Sequence, residues 1–176
     1  MATTVALIKK LKQRILASRY VVAKIANAES LMLYYHIGED IEREISSGSW
    51  GDKMLDEIST RLQQELPGLR GFSATSIKKM RFFYNAWKDS DLIGSTVTAQ
   101  LENPKLTAFF SVSFSQHYEI LLKTKTETDR LYYIEQTAQN FWSVRHLRTE
   151  HNNQSHLQAL KMPNNFTATM PKPLKN

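Results

Sequence analysis

From Val5 to about Ser47 the chain contains no proline, and its apolar residues recur three and four positions apart. Ile8, Leu11 and Ile15 begin the series, Val22 and Ile25 continue it, and Tyr34, Ile37, Ile41 and Ile45 close it. Such spacing gathers the side chains of each group on one face of an α-helix and of no other regular element. A helix of this length exceeds the usual globular range, so a break near Asn27 is expected, giving one long helix or a helix pair. Gly38 interrupts the pattern, where glycine costs about 1 kcal/mol relative to alanine. Close approach of a neighbouring helix would account for it.

The remaining chain divides at turn signals. Ser46-Ser47-Gly48-Ser49 ends the first segment, and a helix is expected from Asp52 to Leu66 with Leu55, Ile58, Leu62 and Leu66 inward. Pro67-Gly68-Leu69-Arg70-Gly71 stops it. Ser73 is a good N-cap for a third helix to about Trp87, with Ile77, Met80, Tyr84 and Trp87 buried. Residues 88–108 read as a loop with room for a short strand at 95–98. Three short helices follow, over 115–123, over 127–140 with Leu131, Ile134, Ala138 and Phe141 inward, and from the Ser143 cap to about Glu150. Trp50, Trp87 and Trp142 stand at element boundaries, where an aromatic ring can seal a junction. The expected fold is mainly α, one multi-helical domain over 1–150 with helix-turn-helix-like units. Its lobes, about 1–88 and 109–150, are joined by a loop. Residues 151–176, with three of the five prolines, read as a flexible tail.

Charge is segregated along this frame. Residues 1–28 hold six Lys or Arg and no acid, 29–66 hold nine acids against three bases, and 67–88 hold five bases and no acid. With a net charge of +6, that distribution points to an anionic partner. The absence of cysteine excludes disulfides, thiolate zinc sites and cysteine nucleophiles. The amino terminus lacks a signal-peptide layout, and no apolar run approaches a membrane span. A soluble cytoplasmic protein is expected, with no membrane partner.

Two elements are candidates for reading DNA. In a helix-turn-helix, a recognition helix lies in the major groove behind a supporting helix. Residues 52–66, a turn and 73–87 have that order, though the turn is long. Opposite the buried stripe, the third helix presents Thr75, Lys78, Lys79, Phe82 and Asn85, with Arg81 on the flank. Arg70 and the Ser73 end of the helix suit a phosphate. The second candidate is the trihelical segment 115–150. Its last helix, opened by Ser143, turns Val144 and Leu147 inward and Arg145 and Arg148 outward. That segment also resembles, over about 35 residues, the helix-turn-helix core of ParB-type partition proteins. The bland alternative is a solvated charged face for the first element and simple core packing for the second.

Five strings occur in order: Tyr34-Tyr35-His36-Ile37-Gly38, Trp50-Gly51, Pro67 through Ser73, Met80-Arg81-Phe82-Phe83-Tyr84, and Trp142 through Leu147. Together, over residues 5–150, they resemble the amino-terminal domain of the YhcG-like family. The family often carries Trp at the position of Tyr35, and Val112–Tyr118 matches its tryptophan-serine-histidine string only loosely. The resemblance implies a helical targeting or assembly module, usually followed by a PD-(D/E)XK nuclease domain. After Glu150 no Asp is followed by a strand bearing Glu-x-Lys, so the chain is expected to be non-catalytic by itself.

No other chemistry stands out. His146, Glu150 and His151 fit neither zinc-protease pattern. His36 reads as a packed or partly exposed histidine, and Glu39, Asp40, Glu42 and Glu44 as a solvated acidic face. No catalytic residue, metal or cofactor is assigned. The expectation is a DNA-binding module of a YhcG-like nuclease system. The alternative is a scaffold whose long helix pairs with a second copy or with a nuclease subunit, and a remnant of a truncated nuclease is a third reading.

Overall fold

The computed structural model describes residues 2–48, 52–93 and 104–157. Trp50 and the strand expected at 95–98 lie outside the described residues. The helices in chain order are α1 (Ala2–Ser46), α2 (Asp52–Glu65), α3 (Ala74–Trp87), α4 (Pro104–Ser111), α5 (Phe114–Lys123), α6 (Glu127–Asn140) and α7 (Val144–Asn152).

α1 is one unbroken helix of 45 residues, so the break expected at Asn27 is absent. Asn27 has another task. Its Nδ2 donates to the carbonyl oxygens of Phe110 at 2.8 Å and Val112 at 3.0 Å, where α4 ends. Carbonyls at a helix end lack partners within the helix, and here a side-chain amide of α1 supplies one. Farther along, α1 crosses α3, its main partner. A β-carbon on Gly38 would stand 2.3 Å from the Met80 carbonyl oxygen and 2.8 Å from the Tyr84 β-carbon. Only a residue without a side chain allows the two backbones this close.

α4 is a correction to the sequence reading, which placed residues 104–108 in a loop because of Pro104. Proline is in fact the first residue of the helix, where its missing N–H is no loss and its fixed φ is helical. α4 carries Leu106, Phe109 and Phe110 into the centre. They join Leu31 of α1, Phe83 and Trp87 of α3, Ile120 and Leu121 of α5, Tyr133 and Ile134 of α6 and Leu147 of α7. The two expected lobes therefore share one core. A second, smaller cluster, with Ile41, Met54, Leu55 and Ile77 at its heart, seats α2 on the carboxy-terminal half of α1 and the start of α3.

Several stripes shift by one position. Phe83 is buried on α3 in place of Tyr84, which is half-buried against the Tyr35 ring at 5.0 Å. On α6, Tyr133, Ile134 and Thr137 point inward. Phe141 ends that helix in the left-handed region (φ 52°) and is 79% exposed, and Leu66 after α2 is exposed too. Trp87 is fully buried and Trp142 half-buried. The segment assigned to a tail from residue 151 begins with packed structure. His151 stacks on Tyr133 at 3.9 Å between ring centroids, and the Tyr133 hydroxyl and His156 Nδ1 share a 2.8 Å hydrogen bond.

Candidate nucleic-acid interface

Ser73, Ser113 and Ser143 each precede a helix with extended backbone geometry, and each hydroxyl accepts a hydrogen bond from the N–H three residues on. At α5 the arrangement is a full capping box, with the Gln116 side chain returning to the Ser113 N–H. None of α3, α5 and α7 has an acid in its first turn. Their amino ends keep both the unpaired N–H groups and the partial positive charge of the helix dipole.

These ends meet. A cleft of about 380 Å³ is lined by Ser76 of α3, Phe114 and Ser115 of α5, and Val144 of α7, all first-turn residues. Lys79 and Arg148 line the same cleft. The two elements that the sequence marked separately, residues 73–85 and 143–148, thus face one another across it. Tyr34 closes the inner side, its ring 4.7 Å from that of Phe114 and 6.2 Å from that of Phe72.

The candidate side chains do not all end up free to bind. Arg81 Nε and Asn85 Nδ2 both donate to Glu42 Oε2 at 2.6 Å. Those bonds, Arg81 foremost, hold the Glu42 carboxyl below its usual range despite its partial burial. Glu42 therefore does not belong to a solvated acidic face; it fastens α1 to α3. Arg148 forks onto Glu119, with Nε 2.9 Å from Oε2 and Nη2 against Oε1. That fork lowers the Glu119 carboxyl. It also fixes the guanidinium at the cleft wall, a bidentate geometry that lysine could not supply.

Lys79 lies over the Tyr118 ring at 4.7 Å, and Phe82 meets the same ring edge-on at 6.0 Å. α5 therefore stands beside the outer face of α3 and covers part of it. Thr75 and Lys78 remain on the exposed side, as do Arg70 before the helix and Arg145 on α7. Ser73 and Ser143 are spent on capping. The sequence reading does not mark Tyr118, Ser115 and Glu119 as site residues, although Ser115 and Tyr118 lie in the Val112–Tyr118 string. Nothing in periodicity marks a residue that lines a cleft between helices.

The helix-turn-helix expectation does not find support in this packing. Eight residues, 66–73, connect α2 to α3, and α3 rests chiefly on α1.

The family model for the DUF1016 N-terminal domain matches residues 10–158. The chain belongs to that family. The match runs from the basic half of α1 past α7, so the DUF1016 N-terminal domain includes all three walls of the cleft. It is the family that the five sequence strings pointed to. No curated protein and no solved structure matches the chain.

Among the described residues, no group of three or more His, Cys, Asp or Glu could hold a metal ion. His117 is enclosed in the core instead. Its Nε2 lies 2.9 Å from the Phe109 carbonyl, and burial pushes its pKa down to about 4. His36 is exposed beside Glu39. Among the same residues, no helix is long and apolar enough to cross a membrane.

Proposed function

We propose that this DUF1016 N-terminal domain is a non-catalytic DNA-binding module that grips the phosphate backbone through the cleft between α3, α5 and α7. The observation that carries the reading is the convergence of three helix amino termini, none with an acid in its first turn, with Lys79 in one concavity, where Arg148 offsets the one carboxylate among its lining residues, Glu119. Helix amino termini bind phosphate through backbone N–H groups, and their dipoles favour negative charge. Lys78, Arg145 and Arg70 extend the same positive character beyond the cleft.

The flanking of α3 by α5 favours phosphate contacts over base readout. A recognition helix must protrude to enter a major groove about 12 Å wide, whereas α3 has Tyr118 beside its outer face. Phosphate contacts position a protein without reading sequence, so modest sequence preference is expected. The resemblance to YhcG-like proteins suggests that the module serves to bring a nuclease to its DNA.

The test is fluorescence anisotropy of a labelled random duplex at low and moderate salt. It compares the wild type with Lys78→Ala/Lys79→Ala/Arg145→Ala, which spares Arg81 because Arg81 holds Glu42. Salt-sensitive binding that the triple substitution removes, with unchanged circular dichroism, supports the reading. A wild type that fails to bind even at low salt overturns it.

A further inference from the structure

α1 is exposed on every side through Ala23, and one of its faces stays open along its whole length. At about 100° per residue, Leu7, Ile8, Leu11, Ile15, Val22 and Ile25 fall on one side of its first half, and all six are exposed. No charge interrupts this stripe, while Lys10, Lys12, Arg14 and Arg19 border it. Because the helix does not break, the same side continues into Glu29, Leu33, His36, Asp40 and Glu44, which are also exposed. It lies opposite Gly38 and Ile41, which meet α3 and the α2 cluster. The open face is therefore apolar with basic borders before Ala28, and rich in carboxylates after it. Arg43 is the one base of that second half, and it is already bridged to Glu39 and Asp40.

We propose that α1 pairs through this face with α1 of a second copy of the chain, in antiparallel orientation. Charge decides the orientation. A parallel pair would set six cations beside six cations and carboxylates beside carboxylates. An antiparallel pair lays each basic half along the other copy's carboxylate half, bringing Arg14 and Arg19 toward the carboxylates of the partner helix. Interhelical pairs of this kind set partner choice and orientation in helix–helix assemblies. Near the midpoint, Val22 and Ile25 of one copy come up to Leu33 of the other. Leu33 is 50% exposed and is the large apolar residue that stays exposed on the carboxylate half. The pairing uses a surface apart from the α3–α5–α7 cleft and does not depend on DNA binding.

The test uses the full chain, whose lack of cysteine makes introduced thiols unambiguous reporters. Sedimentation equilibrium should show a dimer that weakens as salt rises. Arg14→Glu/Arg19→Glu should shift it at least tenfold toward monomer, and adding Asp40→Lys/Glu44→Lys should restore it. All four positions are exposed, and circular dichroism verifies that each variant keeps its helix content. A mixture of Leu11→Cys and Glu44→Cys chains should cross-link on oxidation, whereas Leu11→Cys alone should not. A monomer at every concentration overturns the proposal. So does ready cross-linking of Leu11→Cys alone, which marks a parallel pair, or an Arg14→Glu/Arg19→Glu double variant that associates as tightly as the wild type.

Discussion

Gly38 of α1 and Met80 of α3 touch backbone to backbone, leaving 2.3 Å between the Met80 carbonyl oxygen and the place a β-carbon on residue 38 would occupy. Alanine is favoured over glycine in a helix by about 1 kcal/mol, so Gly38→Ala sets propensity against collision. The atom struck is a main-chain oxygen, which cannot rotate aside. Overpacking costs about 1–3 kcal/mol and, against a main-chain atom, belongs at the upper end of that range, so a net loss of about 1–2 kcal/mol is expected. Urea unfolding measures it, and a variant more stable than the wild type would show that the helices do not approach so closely.

Asn27→Ala strips the carbonyls of Phe110 and Val112 of their shared donor. An unsatisfied buried acceptor costs about 1–3 kcal/mol. Part-burial at Asn27 lets water replace some of the lost bonding, so the low end of that range is expected. Hydrogen exchange should also quicken through α4 before it does in α2, which Asn27 does not touch.

His117 gives stability a slope in mild acid. Its folded pKa is depressed to about 4 from 6.5, chiefly by burial, with the Phe109 carbonyl opposing. The folded state therefore refuses a proton that the unfolded chain accepts below pH 6.5. Stability is complete above that pH and is lost as pH falls toward 4, by about 3 kcal/mol at the low end. His151, lowered to about 4 chiefly by burial and then by His156 and Lys123, tilts the same window in the same direction. Denaturation midpoints between pH 4 and 7 read the slope. It should flatten in His117→Gln if that variant folds, and in His151→Gln by a smaller amount.

Phe141 ends α6 in the left-handed region while its ring stands in solvent. Left-handed geometry costs a residue with a β-carbon about 1–2 kcal/mol, and the exposed ring returns little. Phe141→Gly should raise stability by about 0.5–1 kcal/mol once the greater freedom of glycine in the unfolded chain is subtracted. A lower thermal midpoint would mean that the ring has a role the exposed geometry does not explain.

Glu42→Gln connects the interior to DNA binding. The substitution removes a negative charge and loosens Arg81, which Glu42 now holds at 2.6 Å. If the α3 surface meets phosphates, the variant should bind a random duplex severalfold more tightly, with a salt slope steeper by about one ion. Equal affinity in the two proteins would confine the DNA contact to the cleft side of α3, away from Arg81.

The helices that carry their own start and stop signals were legible in the sequence. α3 and α7 begin at serines that cap them, and α2 stops before Pro67. Gly38 could be understood before its neighbour was known, because a mid-helix glycine has few other uses. α4 was obscured because Pro104 sits at a first helical position, where the residue that usually breaks a helix starts one. The continuity of α1 was obscured by its length, which exceeds the usual globular range, and Asn27, where the break is expected, instead bonds the end of α4. At the site, types and positions of bases could be read, but their bonding could not. That Arg81 and Asn85 turn to Glu42, and Arg148 to Glu119, depends on helix packing at separations of 29 to 43 residues. The cleft itself has three walls from distant segments, and local periodicity contains no information about it.

An unbroken α1 also has mechanical meaning. At 1.5 Å per residue, Val5 lies about 50 Å from the Gly38 contact. With no hinge between them, that span is a stiff lever whose short arm presses on α3. Its outermost anchor is Asn27 on α4, and a swing of 10° of the roughly 33 Å beyond that residue would carry the far end through about 6 Å. Whatever takes hold of the amino-terminal half thereby gains leverage over the angle at which α3 meets its neighbours.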